Sequence, residues 1–161
     1  MPDNLNLTSA QAVYVATRME QRAVALYERA LMAFAPGEEM KAVLSSLLRE
    51  EQAHLDSFLR LQLLEGEVTE EDKLLLDGEA QSVLFSGGLA GAVREGAFDS
   101  PLSLLHYAAD EEERAVARYH AYANNAHGNT RETFLLIARQ EQRHLDRINT
   151  QIARLQEEAD A

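Results

Sequence analysis

Hydrophobic residues recur at helical spacing along four long stretches of the chain, and this pattern predicts an all-α protein. Within each stretch the apolar positions follow one another at alternating steps of three and four, which places them on one face of a helix. Helix breakers, three prolines and eight glycines, are few and cluster where the periodic stretches end. The predicted helices comprise residues 9–34, 38–65, 101–126 and 130–158.

Residues that favour helix ends flank these stretches. Thr8 with Gln11 has the capping-box pattern, in which each of the two side chains satisfies a free backbone N–H of the other residue. Ser before Pro is likewise typical of a helix start. The other predicted end signals are Pro36-Gly37 after the first helix, Gly66 after the second, Ser100-Pro101 before the third, His127-Gly128 after it, and Asn129 with Glu132 before the fourth.

The connections between the predicted helices are unequal in length. The first and second helices, and the third and fourth, are joined by only a few residues, which predicts two antiparallel hairpins. A long segment, residues 66–100, lies between the hairpins, and short helical pieces are expected in it at 69–76 and 86–94 around a glycine break. One domain spanning residues 1–161 is therefore expected, with the crossover topology of a ferritin-like four-helix bundle.

Carboxylate and imidazole side chains interrupt the apolar face of every predicted long helix. The first and third helices carry one glutamate there, and the second and fourth carry a glutamate followed three positions later by a histidine. The interrupting residues are Glu20, Glu51, His54, Glu112, Glu141 and His144. Glu51 follows Glu20 by 31 residues and Glu141 follows Glu112 by 29, so the sequence reads as two copies of one hairpin.

Four glutamates inside a bundle need positive charge beside them, because an unpaired buried carboxylate costs several kcal/mol. Five nearby arginines lie off the inward faces and are predicted to be solvated: Arg18, Arg22, Arg49, Arg114 and Arg143. Two divalent cations would balance the four negative charges, and a glutamate and a histidine three residues apart can reach one cation. The six residues are therefore predicted to bind two metal ions.

The sequence leaves open whether all of the predicted ligands face the interior of the bundle. A register shift of one residue would place Glu20 and Glu112 on the surface, and the acidic run Asp110–Glu113 is expected to be solvated apart from Glu112. The three other histidines have no glutamate three positions before them on an inward face, so they are not predicted to be ligands; they are His106, His120 and His127.

Composition narrows the chemistry and the partners. Fifteen basic residues against 27 acidic ones give the 161-residue chain a net charge of -12, which disfavours binding to nucleic acid or anionic membranes. No cysteine is present, so carboxylates and imidazoles are the remaining strong metal ligands. No apolar run approaches the ~20 residues that cross a bilayer, and the polar start Met1–Asn4 lacks the features of a secretion signal, so a cytoplasmic location is expected.

The residues around the predicted ligands resemble those of the rubrerythrin-like branch of the ferritin-like superfamily. The resemblance covers nearly the whole chain and consists of Glu20 with Ala23 and Tyr27, Glu51-Gln52-Ala53-His54, Glu112 with Ala115 and Tyr119, and Glu141-Gln142-Arg143-His144. It implies that Glu51 and Glu141 bridge two ions. It also implies that Glu20 and Glu112 each bind one ion terminally and that His54 and His144 each cap one.

Two tyrosines near the predicted ligands have two possible roles. Tyr27 and Tyr119 are either core aromatics with locally satisfied hydroxyls or hydrogen-bond donors to ligand carboxylates.

The chain departs from the family pattern in two respects. Rubrerythrins proper carry a cysteine-bound rubredoxin iron, which this chain cannot form, so electrons are expected from an external donor or from Fe(II) itself. The family's additional glutamate would fall at Ala115, and its redox-dependent ligand change is therefore not expected here.

An oxygen-rich ligand set with one imidazole per ion favours iron, with manganese as the alternative and zinc as an ion that a purified sample can contain. The predicted function is that of a di-iron carboxylate oxidoreductase, of ferroxidase or peroxidase type, which oxidises Fe(II) and reduces O2 or H2O2. The alternatives are an iron storage or delivery protein, and a metal-stabilised helical module without turnover. A hydroxylase acting on an organic substrate also stays open, and the resemblance implies a homodimer.

Overall fold

Six α-helices contain most of the residues that the computed structural model describes, namely 6–34, 37–83 and 88–160, the side chains of 79–83 excepted. The helices are α1 (Ser9–Ala33), α2 (Glu38–Glu65), α3 (Glu70–Val83), α4 (Gly88–Arg94), α5 (Pro101–Asn124) and α6 (Gly128–Asp160). Within those ranges the chain forms no strand, which confirms the predicted all-α class.

The four long helices form two hairpins. α1 packs along α2 and α5 along α6, while contacts between α2 and α6 and between α1 and α5 hold the hairpins together. α3 and α4 lie in the long connection and both contact α1. This is the predicted ferritin-like bundle with one crossover.

Most of the predicted end signals form as expected. The side chain of Thr8 accepts a hydrogen bond from the Gln11 N–H, and the Gln11 side chain accepts one from the Thr8 N–H, which completes the capping box of α1. Ser100 caps α5 in front of Pro101. Gly66 ends α2 with a φ of 92°, a backbone conformation that glycine adopts without steric cost.

Several predicted boundaries were wrong. α1 ends one residue early, at Ala33. α5 ends at Asn124 rather than 126, because the N–H groups of Asn125 and Ala126 donate to carbonyl oxygens three residues earlier instead of four. α6 begins at Gly128, whose φ of 57° suits glycine, so Asn129 lies inside the helix and is not its cap. α6 also continues past 158 to Asp160.

The crossover differs from its prediction in the length of its first helix. α3 extends to Val83 instead of stopping at 76, because Gly78 continues the helix rather than ending it. The second piece is helical over Gly88–Arg94. Predictions that involve Met1–Asn4, Pro36 or residues 86 and 87 lie outside the described residues.

α3 buries Leu76 in the core and makes several polar contacts with α1. The Tyr14 hydroxyl donates a hydrogen bond of 2.9 Å to Asp77, and Arg18 Nε lies 3.1 Å from the same carboxylate. Gln11 Nε2 donates to Asp72 at 3.3 Å. The crossover therefore covers the outer side of α1 and leaves the centre of the bundle to the four long helices.

The predicted inward faces form the core. An aromatic cluster of Phe58, Tyr119 and Phe134, with ring centroids 5.3 to 5.9 Å apart, links α2, α5 and α6. Leu44 and Leu47 are also fully buried. None of the described helices combines the length and the apolar character that crossing a membrane requires.

Candidate metal centre

The six predicted ligands lie together at the centre of the bundle. Glu20 comes from α1, Glu51 and His54 from α2, Glu112 from α5, and Glu141 and His144 from α6. Each is at most 4% exposed to solvent. The register shift that would have placed Glu20 and Glu112 on the surface does not occur.

The six side chains form two overlapping groups whose donor atoms lie within 4.8 Å of one another. The first group contains Glu20, Glu51, His54 and Glu141, and the second contains Glu51, Glu112, Glu141 and His144. Two carboxylates, Glu51 and Glu141, are common to both groups. The arrangement has the pattern that the family resemblance implied: two shared glutamates, with one further glutamate and one histidine on each side.

Both histidines direct Nδ1 toward the carboxylates. His54 Nδ1 lies 3.1 Å from Glu141 and 3.4 Å from Glu51, and His144 Nδ1 lies 3.0 Å from each of the same two glutamates. The imidazole rings stack with centroids 5.4 Å apart. Because a spacing of three residues places glutamate and histidine on one helix face, each helix delivers both groups to the same site.

The outer nitrogen of each histidine meets a residue that the sequence analysis missed. His54 Nε2 lies 2.8 Å from Gln140 Oε1, and His144 Nε2 lies 3.1 Å from Glu50 Oε2. Amide and carboxylate oxygens only accept hydrogen bonds, and both ring nitrogens of each histidine face such oxygens, so the metal-free protein favours a proton on both nitrogens. A cation at Nδ1 would replace the inner proton and leave the Nε2 proton directed at the outer oxygen. Glu50 directly precedes Glu51, and Gln140 directly precedes Glu141, so the two residues occupy equivalent positions in the two copies of the hairpin. This equivalence is the sequence signal that could have identified them.

The two tyrosines connect the hairpins. The Tyr27 hydroxyl donates a hydrogen bond of 2.8 Å to Glu112, and the Tyr119 hydroxyl donates one of 2.7 Å to Glu20. Burial, followed by the nearby carboxylates, raises the pKa of both phenols well above the ordinary value, so both remain donors at neutral pH. Of the two options left open by the sequence, the structure therefore has the hydrogen bond to a cluster carboxylate.

Burial and mutual repulsion perturb the carboxyl groups. Desolvation, together with neighbouring carboxylates, raises the pKa of Glu51 to about 7 and those of Glu20 and Glu141 well above the usual range. Burial also opposes ionisation of Glu112, but hydrogen bonds with Glu141 and His144 outweigh it and lower that pKa to about 2. For His54, burial opposes protonation, yet hydrogen bonds to Glu141 and Glu51 raise its pKa to about 12.

These residues fit a pair of metal ions. Two buried carboxylate oxygens, Glu20 Oε2 and Glu51 Oε2, have no hydrogen-bond partner among the described residues, although unpaired buried acceptors are costly. A cation bound by these oxygens would remove that cost, and four carboxylates with two neutral imidazoles form the donor set of di-iron and di-manganese bundles. The unpaired carboxylate oxygens and the set of donor atoms therefore both favour a metal site at this cluster.

A small cavity of about 10 Å³ adjoins the cluster. Its walls include Ala23 and Ala115, which stand three positions after Glu20 and Glu112 in the two copies of the hairpin. Short side chains at these positions leave space beside the carboxylates that a longer residue would fill. The cavity is about the size of one water molecule.

The prediction for the acidic run Asp110–Glu113 was wrong at one residue. Glu111 was expected to be solvated, but it is 2% exposed and its carboxylate lies 2.9 Å from Arg114. Glu113, two positions later on α5, is exposed as predicted, so the rotation of α5 turns Glu111 inward together with Glu112. The remaining histidines, His106, His120 and His127, are exposed and lie outside the cluster.

Comparison with known proteins agrees with this geometry. The rubrerythrin family model matches residues 103–161, which cover most of α5 and all of α6 and include Glu112, Glu141 and His144. Searches of curated proteins and of solved structures found no match. The family match over residues 103–161 and the helical bundle together confirm the predicted resemblance to the rubrerythrin-like branch: a ferritin-like bundle surrounds a buried cluster of glutamates and histidines.

Proposed function

We propose that the cluster binds two metal ions, iron by preference. Glu20 and His54 would hold one ion, Glu112 and His144 the other, and Glu51 and Glu141 would be shared by both. The observation that carries this proposal is the pair of overlapping donor groups with two common carboxylates. Manganese remains the alternative, because oxygen-rich ligation with one imidazole per ion suits both metals.

We further propose that the protein is an oxidoreductase that oxidises Fe(II) with O2 or H2O2. Bound iron would supply two electrons, one from each Fe(II), which with two protons reduce one H2O2 to two water molecules or one O2 to H2O2. The cavity beside Ala23 and Ala115 adjoins the cluster and is where a small oxidant would approach it. Electrons for repeated turnover would come from an external donor or from Fe(II) itself, because the 161 residues contain no cysteine for a rubredoxin-type iron site.

The surrounding residues prepare the site for this chemistry. Tyr27 and Tyr119 hold Glu112 and Glu20 by hydrogen bonds across the bundle, which fixes the carboxylates before any cation arrives. The aromatic cluster of Phe58, Tyr119 and Phe134 is fully buried and includes the tyrosine that bonds to Glu20. Low polarity around the cluster strengthens its attraction for cations.

The test is metal loading followed by oxidation. Apo protein is loaded anaerobically with Fe(II), its iron content is measured, and oxygen consumption is then recorded against the same Fe(II) in buffer. Two iron ions per chain and accelerated consumption are expected. Glu141→Gln removes a shared carboxylate and is expected to lower binding at both positions, whereas Glu20→Gln affects one, and the exposed Glu113→Gln is the control.

Other results would point to other functions. Two bound ions without faster oxygen or peroxide consumption would contradict the oxidoreductase and leave the metal-stabilised module. A multi-subunit shell that retains many iron ions per chain would favour storage or delivery. We propose a homodimer on the family resemblance, which sedimentation of the loaded protein would test, and the cytoplasmic location stays a prediction.

A further inference from the structure

The two copies of the hairpin differ in the residue behind each histidine. Glu50 directly precedes Glu51 on α2, and Gln140 directly precedes Glu141 on α6, so the two occupy equivalent positions. Each contacts the histidine of the opposite hairpin: Glu50 meets His144, and Gln140 meets His54. The six cluster residues are the same in both copies, but these partners differ in charge.

On the His144 side the partner is anionic and anchored. Glu50 Oε2 lies 3.1 Å from His144 Nε2 and also 3.1 Å from Arg147 Nη1, so one carboxylate oxygen contacts both an imidazole and a guanidinium of α6. The contact with the imidazole is one of charge, since its geometry does not meet that of a hydrogen bond. Glu50 is half exposed, and its contact with Arg147 holds the carboxylate beside Nε2.

On the His54 side the partner is neutral. Gln140 Oε1 accepts from His54 Nε2 at 2.8 Å, which orients the ring as well as a carboxylate would. An amide adds no negative charge, however, and polarises the imidazole less than a carboxylate does. Ser57 stands three positions after His54, where Arg147 stands three positions after His144, so no guanidinium occupies the equivalent place.

A carboxylate behind a ligating histidine raises the basicity of the inner nitrogen and strengthens its bond to a cation. We propose, on the basis of the proposed two-ion site, that the two ion positions are inequivalent: the Glu112 and His144 position binds a divalent cation more tightly than the Glu20 and His54 position. Glu50 and Gln140 are the positioning residues that set this difference. The His144 position therefore fills first, and the His54 position holds the more exchangeable ion.

Four proteins with matched changes test the proposal: the natural chain, Glu50→Gln, Gln140→Glu, and the double exchange Glu50→Gln/Gln140→Glu. Apo forms are titrated with Zn²⁺, which is redox-inert, and the two stepwise dissociation constants are measured by calorimetry. In the natural chain the constants should differ by about tenfold or more, the range typical of such partners. Glu50→Gln should weaken the tighter step by about tenfold, and Gln140→Glu should tighten the weaker one.

The order of filling identifies the positions. With histidine labelled by ¹⁵N and one equivalent of Zn²⁺ per chain, the Nδ1 resonance of His144 should shift before that of His54 in the natural protein. In the double exchange this order should reverse. Asp56→Asn, which removes an exposed negative charge from the same helix as Glu50, should leave both the order and the ratio of the constants unchanged.

The outcomes separate this inference from the proposed function. Two Zn²⁺ ions bound with equal affinity, or a filling order that the exchange does not reverse, would overturn the inequivalence and leave the two-ion site intact. If Asp56→Asn changed the filling order or the ratio of the dissociation constants as much as Glu50→Gln does, the assigned roles of Glu50 and Gln140 would be overturned. No binding of Zn²⁺ by any form would overturn both. Thermal unfolding in chelator shows whether each variant is folded, and a folded Glu50→Gln form with unchanged constants would also contradict the proposal.

Discussion

At the scale of single residues, the tyrosine hydroxyls are the most direct link between the two hairpins. Tyr27 on α1 donates to Glu112 on α5, and Tyr119 on α5 donates to Glu20 on α1. Each hydrogen bond joins a fully buried phenol to a buried carboxylate. Hydrogen bonds to charged groups stabilise folded proteins more than neutral ones do, and a buried acceptor that loses its donor is penalised.

Tyr27→Phe should therefore destabilise the metal-free protein without changing its helix content. The expected loss is about 1–3 kcal/mol in the free energy of unfolding, measured by urea denaturation in chelator. Tyr119→Phe should behave alike, because its hydroxyl has the equivalent role. Tyr14→Phe is the control, since the Tyr14 hydroxyl bonds to the half-buried Asp77, and a loss as large there would contradict the special role of the two central tyrosines.

The shifted pKa values of the cluster predict how the metal-free protein responds to pH. Burial raises the pKa of Glu51 from 4.5 to about 7, so its contribution to stability is complete below 4.5 and is lost as the pH rises through 7. His54 acts in the same direction at higher pH, because its contribution is complete below 6.5 and is lost as the pH rises toward about 12. The lowered pKa of Glu112 acts oppositely, but only between about 2 and 4.5.

The free energy of unfolding of the metal-free protein should thus be lower at about pH 8 than at about pH 5.5. The metal-loaded protein should show the reverse trend, since cations replace these protons and bind better as the pH rises. Urea denaturation at both pH values, with chelator and with Zn²⁺, measures the two trends. A metal-free protein that gains stability over this interval would contradict the assigned shifts.

At the scale of helices, the ends depend on local hydrogen bonds. α1 begins at a complete capping box formed by Thr8 and Gln11, and α5 begins where Ser100 accepts from the Ser103 N–H. Such ends could be predicted from the sequence, because the groups involved are three residues apart. The end of α5 and the start of α6 could not, because they depend on how the short turn between two packed helices closes.

Thr8→Ala should cost about 1 kcal/mol in the free energy of unfolding, since it leaves a backbone N–H of α1 without its acceptor. Thr8→Ser retains the hydroxyl and should restore most of the stability. Urea denaturation of both variants in chelator checks this. A loss of the same size in the serine variant would show that the methyl group, and not the cap, matters.

At the scale of the whole molecule, the cluster connects all four long helices. Ligand side chains come from α1, α2, α5 and α6, so two bound cations would join both hairpins at the centre of the bundle. Without cations, the same place contains four glutamates in a region of low dielectric constant, where ionising more than one of them is opposed by burial and mutual repulsion. Metal binding is therefore expected to be coupled to the stability of the entire bundle.

Metal removal should consequently lower the melting temperature. At a free metal concentration 100 times the dissociation constant, one binding site adds ~2.7 kcal/mol, which corresponds to about 5–10 °C for a chain of this size. Calorimetric melting curves with chelator and after reloading measure the change. Glu51→Gln, which lacks a shared carboxylate, should show little response, and an equal response in that variant would contradict binding at the cluster.

The sequence by itself determined the helices and the six central residues. Helical faces repeat with a fixed period, and glutamate and histidine three residues apart must share a face, so Glu51 with His54 and Glu141 with His144 could be predicted from local spacing alone. The internal repeat extended the argument to Glu20 and Glu112. Nothing about neighbouring helices was needed for these inferences.

Only the tertiary structure decided which side chains meet across helices. Glu50 reaches the histidine of the other hairpin, Tyr27 reaches Glu112, and Glu111 turns inward while Glu113 stays in solvent. Each of these contacts depends on the rotation of one helix against another and on their relative position along the bundle axis. Spacing within one helix leaves both quantities undetermined, and the packing of the whole core fixes them.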